Sequence, residues 1–152
     1  MAMYFAQHGL SLSKEINPDR PLSEEGREEV GRISIHLREA GVKIGKIYHS
    51  GKTRAEQTAQ IFADNIGDGR VYELGGMSPN DDVKTFASSL NQDNAMYVGH
   101  LPHLGKLVSY LLAGDENAGL VKFVYGAVVC VSKGEGGFHI EWYMIPTMCI
   151  KG

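Results

Sequence analysis

The chain has 152 residues, 43% of them hydrophobic and 22% charged, which fits one globular domain over 1–152 with enough length to bury a core. Its formal net charge of −3 gives no basic stripe for nucleic acid, and no apolar run approaches the roughly 18 residues that cross a bilayer. The N-terminus lacks a basic n-region and a clean apolar h-region, and Cys130 and Cys149 fall in separate late segments with no zinc or disulfide spacing, so a reduced, cytoplasmic protein is expected.

The first element is the apolar run from Met3 to Ala6, which breaks into Gln7, His8 and Gly9. Such a run reads as a buried strand that delivers Gln7 and His8 to its carboxyl end, where ligands sit in open α/β sheets. Gly9 lets the backbone turn and approach a ligand. His8 is then a candidate nucleophile or base, although a lone His-Gly is a weak signal and on this stretch alone the structural histidine is the favoured reading. A polar loop, Ser11 to Pro21, leads to Ser23, a good N-cap, with Glu24 and Glu25 suited to the positive end of a helix. Val30, Ile33, Leu37 and Ala40 recur at helical spacing, and Gly41 is a natural stop.

Lys46 to Ser50 reads as a second strand. A helix follows, with Ala55, Thr58, Ala59, Phe62 and Ile66 on its apolar face. Arg54 stands in the first turn, the unfavourable end for a cation; it either meets an anion there or is a solvated surface arginine. Arg70 to Leu74 reads as a third strand, and Asp81 to Leu90 as a short helix with Val83, Phe86, Ala87 and Leu90 inward. Ala95 to His100 repeats the opening design, an apolar run ending in Gly-His. Pro102 suits position N1 of the next helix, whose apolar face is Leu104, Leu107, Val108, Leu111 and Leu112. Val121 to Tyr125, Ala127 to Ser132 and Phe138 to Ile145 are β-rich, with Gly134 to Gly137 as a hairpin turn. The alternation predicts a three-layer α/β/α sandwich with a mostly parallel sheet and a β-rich C-terminal edge.

If the strands ending at His8, Ser50 and His100 run parallel, one rim gathers two imidazoles, the Arg54 guanidinium and two helix N-termini. Such a rim suits an oxyanion, and histidine can carry a covalent phosphoryl intermediate. His103, three residues after His100, either shares the rim or is a surface histidine in the first helical turn. His49 lies beside the rim, facing it or the core; His36 and His139 read as structural or exposed, and Tyr125 and Trp142 as core or surface aromatics.

Four stretches in order, Gln7-His8-Gly9, Arg20-Pro21-Leu22-Ser23-Glu24-Glu25-Gly26, Ser50-Gly51-Lys52-Thr53-Arg54-Ala55-Glu56-Gln57-Thr58-Ala59 and Gly99-His100, resemble the histidine phosphatase superfamily. They match its Arg-His-Gly opening, its R-x-L-S/T-x-x-G and S-x-x-x-R-A-x-Q-T-A stretches and its second histidine. His100-Leu101-Pro102 and the compact length look most like the SixA-type phosphohistidine phosphatases. The resemblance implies that His8 attacks phosphorus while Arg54 and His100 bind the non-bridging oxygens. Gln7, Gly9, Ser50, Leu101 and His103 complete the expected phosphate cradle. It implies no metal or organic cofactor. The implied partner is a phosphorylated protein, such as a phosphorelay histidine domain, or a small phosphorylated molecule.

Two departures stand out. Gln7 replaces the family's arginine, and loss of such a donor costs on the order of 10²–10³ in rate. The loop Gly75 to Pro79 holds no acid to protonate a leaving alkoxide; Glu73, Asp81 and Asp82 are nearby, each otherwise a solvated charge. A phosphoramidate needs less help, since protonated imidazole leaves readily. The alternatives are a binding module that keeps the pocket without turnover, and a metallohydrolase built on His8, His100 and His103.

Overall fold

The N-terminal apolar run forms β1 (Ala2–Gln7), flanked on both sides within a six-stranded sheet. The computed structural model describes residues 1–149. After β1 come α1 (Glu24–Glu39), β2 (Lys46–His49), α2 (Thr53–Ile66), β3 (Tyr72–Glu73), α3 (Val83–Ser88), β4 (Ala95–Gly99), α4 (His103–Ala113), β5 (Val128–Gly134) and β6 (Gly137–Met144), with a 3-10 turn at Pro146–Met148. The strand order is β3-β2-β4-β1-β5-β6. β3, β2, β4 and β1 are parallel, β5 is antiparallel to β1, and β6 folds back on β5.

Two apolar cores, one on each sheet face, make the three layers. On one face Val30, Ile33 and Leu37 of α1 and Ala59, Phe62 and Ile66 of α2 pack on Ala6, Ile47, Met96 and Val98. On the other, Phe86 of α3 and Leu104, Leu107 and Val108 of α4 pack on Phe5, Tyr97 and Val129. Successive strand residues serve opposite cores because their side chains leave opposite faces. β4 is buried along its whole length, which is why it reads as an unbroken apolar run. Each large side chain buried this way contributes about 1.5–3 kcal/mol.

The helix ends follow the sequence chemistry. The Ser23 hydroxyl accepts from the Gly26 amide at 3.0 Å and caps α1. Gly26 has a second reason to be glycine: a Cβ there would stand 2.1 Å from the Leu10 carbonyl oxygen. This lets the first turn of α1 lie against the backbone just after β1.

Three expectations are corrected. Val121 to Tyr125 is not a strand. β5 meets β1 only from Val128, opposite Ala6, so the preceding segment has no ladder to join; it buries Phe123 and turns at Gly126, at φ +78. The third strand shrinks to Tyr72–Glu73, an exposed edge pair. Pro102 is the N-cap of α4 rather than its first residue, and His103 opens the helix.

Candidate active site

The register of the parallel strands places the two histidines. Gln7 of β1 is opposite Gly99 of β4, so His8 and His100 leave the sheet side by side at its carboxyl rim. His49 of β2 is opposite Val98, which brings Ser50 level with Gly99 and within reach of His100. The His8 and His100 rings are 5.0 Å apart between centroids.

His8 is buried, and its Nδ1 lies 2.7 Å from the Gly9 carbonyl oxygen. A carbonyl only accepts, so Nδ1 carries the proton and Nε2 is left as the basic, nucleophilic atom. Burial lowers the His8 pKa to about 4, opposed by the Gly9 carbonyl and reinforced by the positive charges of Arg54 and Arg20. His100 is lowered to about 3, chiefly by burial and then by His8, Arg54, Lys52 and His103. Its Nε2 is 2.6 Å from the Ser50 hydroxyl, while its buried Nδ1 has no hydrogen-bond partner among the described residues. Both rings are therefore neutral near pH 7.

Arg54 sits in the first turn of α2, half-buried, with its Nε unpartnered. Burial and the charge of Arg20 both oppose its own charge. No carboxylate forms a salt bridge with Arg54 or Arg20 among the described residues. The rim is thus a set of neutral imidazoles and unneutralised guanidinium groups, an environment for an oxyanion.

The remaining expected residues divide. Gln7 is 5% exposed, and its Oε1 is buried without a partner. Ser50 meets His100 directly. Gly9 differs from the expectation of a backbone open to ligand: its amide donates to Thr58 Oγ1 at 3.0 Å. A Cβ on Gly9 would meet Val30 Cγ2 at 2.7 Å, so close packing on α1 demands the glycine. Leu101 lies just past His100 and is 41% exposed. His103 is no surface residue. It is 1% exposed and packs edge-on against Phe86 at 5.6 Å. Burial lowers its pKa, partly offset by Asp81, Asp82 and the Gly76 backbone. His49 faces α2, with its Nδ1 accepting from the Gly51 amide at 3.0 Å and its Nε2 3.8 Å from Glu56.

The acids near the third strand are occupied. Asp81 accepts from the Ser78 amide, and Asp82 caps α3 through Thr85. The Glu73 carboxylate packs over Gly51, where an added Cβ would come within 2.9 Å. No group of three or more His, Cys, Asp or Glu able to hold a metal occurs among the described residues.

The sequence reading missed two residues of this rim. The Tyr125 ring lies 5.7 Å from that of His8 while remaining 45% exposed, a wall that only the turn before β5 creates. Arg20 influences both His8 and Arg54. Its signal was the arginine opening the Arg20-Pro21-Leu22-Ser23 stretch, to which no role was attached.

The model of the histidine phosphatase superfamily (branch 1) matches residues 3–76. The chain is 26% identical over 154 aligned positions to phosphohistidine phosphatase SixA of Escherichia coli (strain K12), covering 96% of this chain and 94% of that one. It superposes on the structure of the protein histidine phosphatase SixA complexed with tungstate with a TM-score of 0.85 at 25% identity, over 97% of this chain and 99% of that one. The chain is thus similar to the histidine phosphatase superfamily, in sequence over its first half and in fold over nearly its whole length. A structure named for SixA from Agrobacterium tumefaciens shares the fold, with a TM-score of 0.75 at 18% identity over 94% of this chain and 97% of that one. In this chain the histidine-bearing ends of β1 and β4 are neighbours, so the pairing of His8 with His100 follows from strand order.

Proposed function

We propose that this protein is a phosphohistidine phosphatase that works through a phosphorylated His8. The observation that carries the reading is the Nδ1–H of His8 held on the Gly9 carbonyl at 2.7 Å, which aims a bare Nε2 away from its own backbone and into a cationic rim. In the first half-reaction Nε2 attacks phosphorus, the N–P bond to the substrate breaks, and the departing imidazole takes a proton from solvent water. In the second, water attacks the phosphorus of phospho-His8, giving phosphate and regenerating the neutral ring. Arg54 neutralises the equatorial oxygens as charge spreads over them. His100, oriented by Ser50, stands beside His8 at the same rim and lines the place where that group would sit.

The substrate class is supported by what the site lacks. The acids nearest the third strand serve as caps or pack on Gly51, and the influences on His8 are a carbonyl and two arginines. A substrate whose leaving group is imidazole needs the least acid assistance. The Tyr125 ring beside His8 offers a flat apolar wall for that imidazole. The relatives named for phosphohistidine phosphatase point the same way, and a phosphorylated histidine on a protein is the partner we assign.

The test is to incubate the protein with phosphoimidazole and with a phosphohistidine-bearing protein, then quench in base. Acid-labile, base-stable phosphate should accumulate on His8, and His8→Ala should abolish both label and phosphate release. Tight binding of phosphate with no label and no turnover would instead identify a binding module weakened by Gln7.

A further inference from the structure

We infer that Arg20, reaching in from the loop after β1, supplies the phosphoryl contact that Gln7 at the end of β1 cannot make. The inference rests on the phosphatase reading for its substrate, but its geometry stands apart from turnover. Position 7 holds a neutral amide whose Oε1 is buried and unpartnered, so the strand itself brings no charge to the rim.

The segment carrying Arg20 is fastened to that rim at several points. Ser11 bridges to Leu22, and the Leu12 amide donates to the Pro21 carbonyl at 2.8 Å. The Leu22 amide donates to Gln57 Oε1 of α2 at 2.8 Å. The Gly9 amide reaches Thr58, whose hydroxyl donates to the Arg54 carbonyl at 2.8 Å. The loop and the first turns of α2 are thereby held as one wall, with Arg20 on one component and Arg54 on the other.

Arg20 is itself held in place. Its backbone is in the left-handed region at φ +49, uncommon for a side chain of this size. Its guanidinium donates from Nη2 to Ser11 Oγ at 3.2 Å and from Nε to the Leu12 carbonyl at 3.5 Å. Three of its five N–H groups remain for another acceptor. No carboxylate neutralises it among the described residues, yet its charge acts on Arg54 and on His8. Two uncompensated guanidinium groups held within electrostatic reach repel one another, and a dianion between them relieves both.

Tungstate affinity, measured by calorimetry, tests this without requiring catalysis. We expect Arg20→Gln to weaken tungstate by about tenfold or more, the loss of one charge-assisted contact. Arg20→Lys should recover part of the affinity. Gln7→Arg should restore most of it in the Arg20→Gln background, while adding less to the wild type. Unchanged affinity in Arg20→Gln, with Arg54→Gln losing it, overturns the inference and leaves the phosphatase reading standing. If Arg20→Gln and Arg20→Lys lower the thermal midpoint equally and Gln7→Arg restores no affinity, Arg20 merely braces the loop and the inference also falls. If tungstate binding depends on Arg20 but no phospho-His8 forms with any donor, the inference holds and the phosphatase reading fails.

Discussion

His8 holds its Nδ1 proton against the Gly9 carbonyl, and His100 holds Nε2 against Ser50. Each bond fixes one nitrogen of its ring and so sets the ring's orientation. Ser50→Ala removes the second of these while leaving the ring in its apolar surroundings. It should lower kcat/KM by about five- to fiftyfold, on the scale of one lost hydrogen bond to a reacting group, with a change in thermal midpoint too small to explain it. Equal kcat/KM in wild type and Ser50→Ala would show that packing alone orients His100. At position 7 an arginine can make the bidentate contact that glutamine cannot. Gln7→Arg should raise kcat on an aryl phosphate by about tenfold, below the full cost of a missing transition-state donor. Tighter phosphate inhibition with no faster turnover would favour the binding-module reading.

At the scale of elements, the loop after β1 and helix α1 determine how closely the rim can be built. Gly26 lies under the Leu10 carbonyl, whereas Gly31, in the same helix, has nothing within 4 Å of an added Cβ. The two glycines should respond to alanine with opposite signs. Gly31→Ala should stabilise by about 0.5–1 kcal/mol, because alanine loses less entropy on entering a helix. Gly26→Ala forces α1 away from Leu10 and should cost about 1–3 kcal/mol, typical of overpacking, and should weaken oxyanion binding as the loop carrying Arg20 shifts. Urea melts of both variants check this. A stabilised Gly26→Ala would mean that the loop yields freely and does not hold the rim.

For the whole molecule, the buried imidazoles link stability to pH. The ordinary histidine pKa is 6.5, and in the folded protein His8 lies at about 4 and His100 at about 3. Above pH 6.5 both are neutral in folded and unfolded chains, and nothing is lost. As pH falls below 6.5 the unfolded chain binds protons that the folded site refuses until its own pKa is reached. Stability should therefore fall between about pH 6.5 and 4, by up to ~1.4 kcal/mol per pH unit for each such histidine. His8→Ala should make that slope shallower in melts taken at pH 7, 5.5 and 4.5. An oxyanion beside His8 favours its charged form, so tungstate should move the ring's NMR titration upward. A midpoint near 6.5 for free His8 would contradict the buried, cation-flanked setting.

Local chemistry was legible in the sequence wherever a residue's immediate neighbours decide its conformation. The Ser23 cap, the apolar stripes of α1, α2 and α4, the stop at Gly41 and the histidines that follow β1 and β4 depend on spacing and backbone preference, which a single chain displays. Their alternation also implied three layers and a parallel sheet. Strand order was beyond it, because β1 and β4 pair across more than ninety residues and nothing local encodes that choice. The same long-range pairing decided that His100 stands beside His8, and that Val121 to Tyr125, with no free edge to join, turns Tyr125 toward the rim. His103 read as either a rim residue or an exposed one, because its place in a first helical turn says nothing of α3, which covers it with Phe86. Arg20 was visible as a residue but not as a neighbour of Arg54, since only the closure of the loop on α2 through Leu22 and Gln57 brings the two charges onto one wall.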